Sequence, residues 1–330
     1  MKLLRPTAEE GAAGLRAMTT VARARGEIAD STRSLINAAQ KMLIGTSEQI
    51  DDLAPITPEE LAAAVERPEI RNQLINGMVV TTMSASDPPK KQSEAVRSFA
   101  NALHVDGPQL SAIEKLTKHD LLLFKLCVLR NGHLPDAVRD EYRHHGFWGV
   151  VKGFMGLKGI REDNKVADTF RAWEKLPKDS LGAYVFRHYR ENSFAFPGEK
   201  GGFPAAGMYH DFSHVLAGYN TTPQGETLVG GFTAGYRDKR ADQGLFTALF
   251  VLSIFSAGVD VTPIGVGSWT GTVGDVAEGF LNAIQRGSVL NTDLSDDWNF
   301  WEYIEVPLEE MRERLGVPPK TESGPGDYPF

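Results

Sequence analysis

The sequence YHDFSH, residues 209–214, is followed at a fixed distance by Glu226. His210 and His214 are four residues apart, so on a helix they lie on one face, one turn above each other. Eleven residues separate His214 from Glu226, and they include a helix break over 218–223. After that break, a second helix can bring Glu226 back towards the imidazoles. Imidazoles and carboxylates are ligands for divalent metals. The spacing therefore predicts a metal site at His210, Asp211, His214 and Glu226.

A His-Asp pair on a helix also occurs as a simple hydrogen-bonded pair at the surface. The chain holds a second such pair, His119-Asp120, which is followed only by the apolar residues Leu123 and Phe124 at helical spacing. The pair at His210 differs because a second histidine and a spaced glutamate accompany it. Short motifs match by chance, so local geometry leaves both interpretations open.

Taken whole, H-D-x-x-H-x(11)-E resembles the signature of the coenzyme Q (ubiquinone) biosynthesis metal-binding family. Residues 176–190 (LPKDSLGAYVFRHYR) resemble the family's helix before the motif, and residues 280–317 resemble its carboxyl-terminal end. The resemblance covers about residues 150–320 and implies that His210, Asp211, His214 and Glu226 are the catalytic metal ligands. The ion it implies is zinc, iron, cobalt or manganese.

The same resemblance implies a reaction and a substrate. The reaction is removal of the C1 carboxylate of a polyprenylated 4-hydroxybenzoate-type acid, coupled to hydroxylation at that carbon, with molecular oxygen as a co-substrate. Tyr209, Arg187 and Arg190 are candidates for binding the anionic head group. The apolar run 244–259 predicts a buried helix, on which three residues are candidates to line a channel for the isoprenoid tail: Phe246, Phe250 and Ile254.

Helical periodicity without β-alternation in the amino-terminal half, together with the resemblance, predicts an all-α fold with two helical domains. We expect residues 1–30 to form an exposed or loosely docked helix, 31–140 the first domain and 141–330 the metal-binding domain. Residues 83–94 and 99–105 make the first domain similar to the tellurite-resistance-B-like domain. Its acidic cation-binding loop is altered here by Pro88 and Lys90-Lys91, which favours an accessory role. Because this half looks self-contained, residues 140–330 should fold alone and keep the metal.

Composition limits the other classes of function. The net charge of −8 and the lack of a basic stripe argue against nucleic-acid binding. The single cysteine, Cys127, excludes an intramolecular disulfide framework and suits a reducing compartment. No signal peptide is evident, and the apolar run 244–259 is shorter than the ~20 residues that span a bilayer. We expect a cytoplasmic homo-oligomer with peripheral contact to the inner face of the membrane, working with other quinone-biosynthesis proteins.

Two other functions stay open at this point. The chain could be a non-catalytic scaffold that binds a prenyl lipid and organises a biosynthetic complex. It could also be an HD-type phosphohydrolase, which needs a further histidine upstream and an aspartate downstream of the His-Asp pair. His188 and Asp260 are the candidates for those positions, but that class leaves His214 and Glu226 unexplained.

Overall fold

The computed structural model describes residues 1–132, 135–136, 138–139, 142–143, 162–237, 239–240, 242–262, 265–296, 298–321 and 323–328. Within these ranges the regular structure is helical, and strand-like pairing is limited to isolated bridges such as Ser180 with Pro307. The prediction of an all-α fold is confirmed. The predicted domain boundary at 140/141 lies outside the described residues.

The amino-terminal half contains α1 (Ala8–Arg23), α2 (Asp30–Ala39), α3 (Pro58–Ala64), α4 (Pro68–Met83), α5 (Lys90–Leu103), α6 (Pro108–Thr117) and α7 (Leu121–Asn131). The carboxyl-terminal half contains α8 (Asn164–Arg171), α9 (Leu181–Glu191), α10 (Tyr209–Ala217), α11 (Pro223–Tyr236), α12 (Gln243–Phe255), α13 (Thr272–Asp275), α14 (Ala277–Gly287) and α15 (Leu308–Leu315). Proline opens α3, α4, α6 and α11, where its fixed φ suits the first turn and its missing N–H costs nothing.

Helix α1 is a buried element of the amino-terminal half. It begins with a capping box in which Thr7 Oγ1 accepts from the Glu10 amide and the Glu10 carboxylate accepts from the Thr7 amide. Ala17 and Val21 are fully buried, and the helix packs against α3, α4 and α5. The expectation of an exposed or loosely docked helix in residues 1–30 is therefore wrong. Its alanines and glycines let neighbouring helices approach closely instead of marking a solvated tail.

Glu10 and Arg67 form an ion pair across this half. The Glu10 side chain is buried, and Arg67 Nε donates to Glu10 Oε1 at 3.0 Å while Nη2 donates to Oε2. The hydrogen bond from Arg67 is the main reason why the pKa of Glu10 falls to about 2 from its ordinary 4.5.

We expect Glu10→Gln to lower the free energy of unfolding by about 1–2 kcal/mol at pH 7, because it removes a charge-assisted bidentate pair whose Arg67 end is partly screened by water. Since the folded-state pKa is depressed, the stabilisation is fully present above pH 4.5 and is lost as the pH falls towards 2. Urea unfolding of both proteins at pH 7 and pH 3 measures this. The gap between them should narrow at pH 3, and the exposed neighbour Glu9→Gln is the control. An equal gap at both pH values would contradict the assignment.

Helices α11 and α14 cross at glycines. A Cβ on Gly235 would lie 2.3 Å from the Ile284 carbonyl oxygen, and one on Gly287 would lie 2.0 Å from the Phe232 carbonyl oxygen. Both distances are far below van der Waals contact, so only glycine allows this crossing. The crossing fixes the direction of α11, which carries Glu226.

The two halves share one hydrophobic core. Helix α12 packs against α4 and α7, while α2 packs against α13 and α14. A single cluster of buried apolar side chains contains residues from both halves, such as Leu35 and Phe280. This packing argues against independent folding of residues 140–330. The apolar run forms the buried helix α12, and no described helix is long and apolar enough to cross a bilayer.

Candidate metal centre

The predicted motif folds into two helices joined by a tight turn. Helix α10 carries His210 and His214 one turn apart, and it ends at Gly218, whose φ of +76° is favourable for glycine. Thr222 then caps α11 by accepting from the Gly225 amide, which places Glu226 in the first turn of α11. The chain thus doubles back where the sequence predicted, and Glu226 faces both imidazoles.

Three ligand atoms come together at this turn. His210 Nε2 lies 3.2 Å from Glu226 Oε2, His214 Nε2 lies 3.3 Å from Glu226 Oε1, and the two Nε2 atoms are 3.2 Å apart. Two ligands that each lie ~2.0–2.1 Å from a tetrahedral ion are roughly 3.3–3.4 Å apart. His210, His214 and Glu226 therefore fit one face of a tetrahedral site. Neutral imidazoles with a carboxylate suit zinc and its first-row neighbours.

The surroundings orient these ligands. The His214 side chain is only 1% exposed, and its Nδ1 donates to the Tyr219 carbonyl oxygen at 3.0 Å, which leaves Nε2 available to bind a metal ion. The His210 side chain is 41% exposed, so the site opens to solvent on that side. Burial opposes the charge on Glu226, yet the two imidazoles hold the pKa of Glu226 below its usual range.

Asp211, the fourth predicted ligand, lies beside this group. The ligand atoms that lie within 4.8 Å of one another belong to the other three residues. Asp211 Oδ2 accepts from Tyr189 Oη at 2.7 Å, and Oδ1 lies 3.7 Å from His188 Nε2. Burial acts in the opposite direction, but the contact with His188 lowers the pKa of Asp211. Because adjacent helical residues point about 100° apart, Asp211 faces α9 while His210 faces α11.

Helix α9 contributes two buried residues that sequence reasoning did not assign to the metal site. His188 is 2% exposed, its ring lies 5.2 Å from the His214 ring, and burial lowers the pKa of His188. Burial and the Asp211 charge raise the pKa of Tyr189, so its hydroxyl remains a donor. The sequence signal that could have identified His188 and Tyr189 is their position in the helix that precedes the motif.

The predicted head-group residues are engaged elsewhere. Arg187 donates to the Lys178 carbonyl oxygen and lies over the Tyr184 ring, while the exposed Arg190 lies over Phe186 and Phe196. Tyr209 stacks under the Arg237 guanidinium at 5.0 Å. None of these contacts joins them to the three metal-ligand candidates.

The predicted tail channel on α12 also differs from the cavity observed. Phe246 and Ile254 are buried in the core, and Phe250 is half-buried. An apolar cavity of about 120 Å³ is instead bordered by the neighbouring face of α12, at Leu245 and Ala248, and by α1, α2, α4 and α14. The channel along Phe246, Phe250 and Ile254 stays a prediction.

Three cations hold the carboxyl-terminal end of α10. Arg312 donates to the Val215 and Leu216 carbonyl oxygens at 2.9 and 3.0 Å, Arg286 to that of Ala217 at 3.1 Å, and Lys320 to that of Gly218 at 2.9 Å. Cations stabilise the negative end of a helix dipole and satisfy its free carbonyls. They fix α10 and thereby the position of its histidines.

The contacts of Asp260 argue against its role as the downstream aspartate of an HD-type phosphohydrolase. Asp260 Oδ1 accepts from the Thr262 amide at 2.8 Å, and Oδ2 accepts from the Gly267 amide at 2.9 Å. Both carboxylate oxygens are thus used within their own loop. His188 does approach Asp211, but Asp260, the aspartate that this class would use, is held within its own loop.

Comparison with family models returned no match for the chain, and a search of curated proteins returned none either. The resemblance to the ubiquinone-biosynthesis family therefore rests on the motif and its flanks.

Proposed function

We propose that this chain is a metal-dependent enzyme of ubiquinone or related prenylated aromatic biosynthesis. It replaces the C1 carboxylate of a polyprenylated 4-hydroxybenzoate-type acid by a hydroxyl group. The observation that carries the proposal is the approach of His210, His214 and Glu226 to 3.2–3.3 Å at the H-D-x-x-H-x(11)-E spacing. The bond from C1 to the carboxylate breaks to release CO2, and a C1–O bond forms with oxygen from water. This removes two electrons from the ring acid, and molecular oxygen, the co-substrate, accepts them and is reduced to hydrogen peroxide.

These three residues would hold zinc, iron, cobalt or manganese. The bound ion would supply a Lewis acid for the carboxylate or phenolate oxygens of the substrate. The Tyr219 carbonyl oxygen keeps His214 in the tautomer that leaves Nε2 free. The accessible side of His210 is where the ring acid enters, while the buried side at His214 excludes water.

Anaerobic purification and metal analysis, followed by incubation with a prenylated 4-hydroxybenzoate with and without oxygen, test the reaction. We expect release of CO2 and formation of the C1-hydroxylated product only with metal and oxygen. Glu226→Gln is the matched control, because it keeps the size of the side chain and removes its charge. Tight binding of the acid without release of CO2 would refute the proposal that the chain is an enzyme.

A prenyl-lipid-binding scaffold is the second candidate, favoured by the apolar cavity between the two halves. Its ligand is an isoprenoid chain, and its partners are other quinone-biosynthesis proteins at the inner face of the membrane. Binding that strengthens with tail length in the absence of turnover supports this candidate, since each buried methylene contributes ~0.8 kcal/mol.

A further inference from the structure

A buried histidine nitrogen beside the metal-ligand candidates faces a half-buried carboxylate without bonding to it. His188 Nε2 is buried and has no hydrogen-bond partner, and the nearest carboxylate oxygen, Asp211 Oδ1, is 3.7 Å away. That distance is beyond hydrogen-bond range. Buried polar groups in native proteins are almost always satisfied. The two atoms are therefore placed for a contact that a small movement of Asp211 completes.

The groups on the two sides of the His188 ring determine which ring nitrogen carries the proton. Tyr328 Oη is hydrogen-bonded to His188 Nδ1, while the Asp211 carboxylate lies on the Nε2 side of the ring. A carboxylate only accepts hydrogen bonds, whereas the Tyr328 hydroxyl can donate to the other ring nitrogen. Nδ1 then accepts, and the proton of the neutral imidazole lies on Nε2, directed at Asp211.

Tyr328 reaches this position because residues 323–328, here termed the carboxyl-terminal strap, lie along the turn between α10 and α11. The Asn220 amide donates to the Gly326 carbonyl oxygen at 2.8 Å, and the Tyr328 amide donates to that of Gly218 at 3.1 Å. Asp327 forms an ion pair with Lys320 at 3.0 Å. Gly326 has a φ of +90°, and a Cβ there would lie 2.7 Å from the Gly225 amide nitrogen, so the strap follows the turn more closely than a side chain would allow.

We propose that the carboxyl-terminal strap is part of the metal centre: Tyr328 orients His188, and His188 together with Tyr189 positions the Asp211 carboxylate for the ion. This inference rests on the metal centre of the proposed function. Asp211 points away from the face of α10 that carries the two histidines, so neighbouring donors must hold its carboxylate at the edge of the group. Tyr189 fixes Oδ2 and His188 directs Oδ1. Such donors to a ligating carboxylate typically affect metal affinity strongly.

The proposal is tested by titrating the full chain with Co²⁺ while calorimetry measures the affinity and visible absorption records the spectrum of the bound ion. We expect His188→Leu and Tyr328→Phe each to weaken Co²⁺ binding about 10–100-fold and to change the absorption spectrum. His188→Gln, which keeps a donor, should restore part of the affinity. Tyr303→Phe removes a hydroxyl from another half-buried tyrosine, stacked on Trp298, and should change neither quantity.

A double-mutant comparison separates positioning from general destabilisation. If Tyr328 acts through Asp211, adding Tyr328→Phe to Asp211→Asn should weaken Co²⁺ binding no further. Additive losses, or unchanged affinity and spectrum in both His188→Leu and Tyr328→Phe, would overturn the proposal and leave the metal centre standing. Failure of the unaltered protein to bind Co²⁺ would overturn the metal centre and the proposal together. Tyr328→Phe removes only a hydroxyl, so the test survives if His188→Leu fails to fold.

Discussion

Replacement of His214 by alanine is expected to lower the affinity for a divalent ion by more than about 100-fold. Mutation of a residue that only hydrogen-bonds to a metal ligand typically lowers the metal affinity about 10–100-fold, so loss of a ligand itself should cost more. His214 supplies the most buried of the three ligand atoms, and its Nε2 lies within 3.3 Å of both Glu226 and His210. Alanine leaves one imidazole and a carboxylate, which hold a borderline-soft ion poorly.

Metal content after dialysis, together with the dissociation constant by calorimetry, measures the loss at His214. His119→Ala is the matched control, since His119 belongs to the chain's other His-Asp pair and its side chain is 70% exposed. Only the His214 variant should lose the ion. Full metal retention by His214→Ala would disprove the assignment of the ligands.

Separate expression of residues 1–140 and 141–330 is expected to give two chains that do not unfold cooperatively and do not bind metal. Each would expose the apolar surface that the other covers, because α12 packs against α4 and α7 and α14 packs against α2. Exposed apolar surface of this kind costs about 25 cal/mol per Å² that is not buried. Circular dichroism during urea unfolding, with metal analysis, measures the outcome.

Co-expression of the two fragments is the control for this experiment. If the shared core is the reason for failure, the fragments should associate and recover a cooperative transition with bound metal. A fragment 141–330 that folds and binds metal alone would instead support the two independent domains expected from the sequence.

The fold class and the three metal-ligand candidates were readable from sequence because both depend on short-range spacing. Helical periodicity defines each helix locally, and the distance from His214 to Glu226 leaves room for one turn between two helices. The position of the Asp211 carboxylate was harder to predict from the sequence. The sequence places it next to His210, but only the packing of α9 shows that its carboxylate meets Tyr189 and His188.

Contacts between distant parts of the chain could not be read in this way. Arg187 and Arg190 were selected for their charge, yet their partners are aromatic rings and a carbonyl oxygen around α9. The alanine-rich sequence of α1 has the composition of a solvated helix as well as of a closely packed one. Its neighbours in the fold, rather than its own residues, decide that it is buried.

The carboxyl-terminal strap also sets an order of events in biosynthesis. The turn that connects His214 to Glu226 is hydrogen-bonded to Gly326, Asp327 and Tyr328, about a hundred residues after Glu226 is added to the growing chain. At translation rates of about 5–20 residues per second, that interval lasts roughly 5–20 s. Throughout it the ligands already exist while the turn between them lacks its final restraint. A metal centre of the proposed kind would therefore be completed only after the described helices that precede the strap have been synthesised.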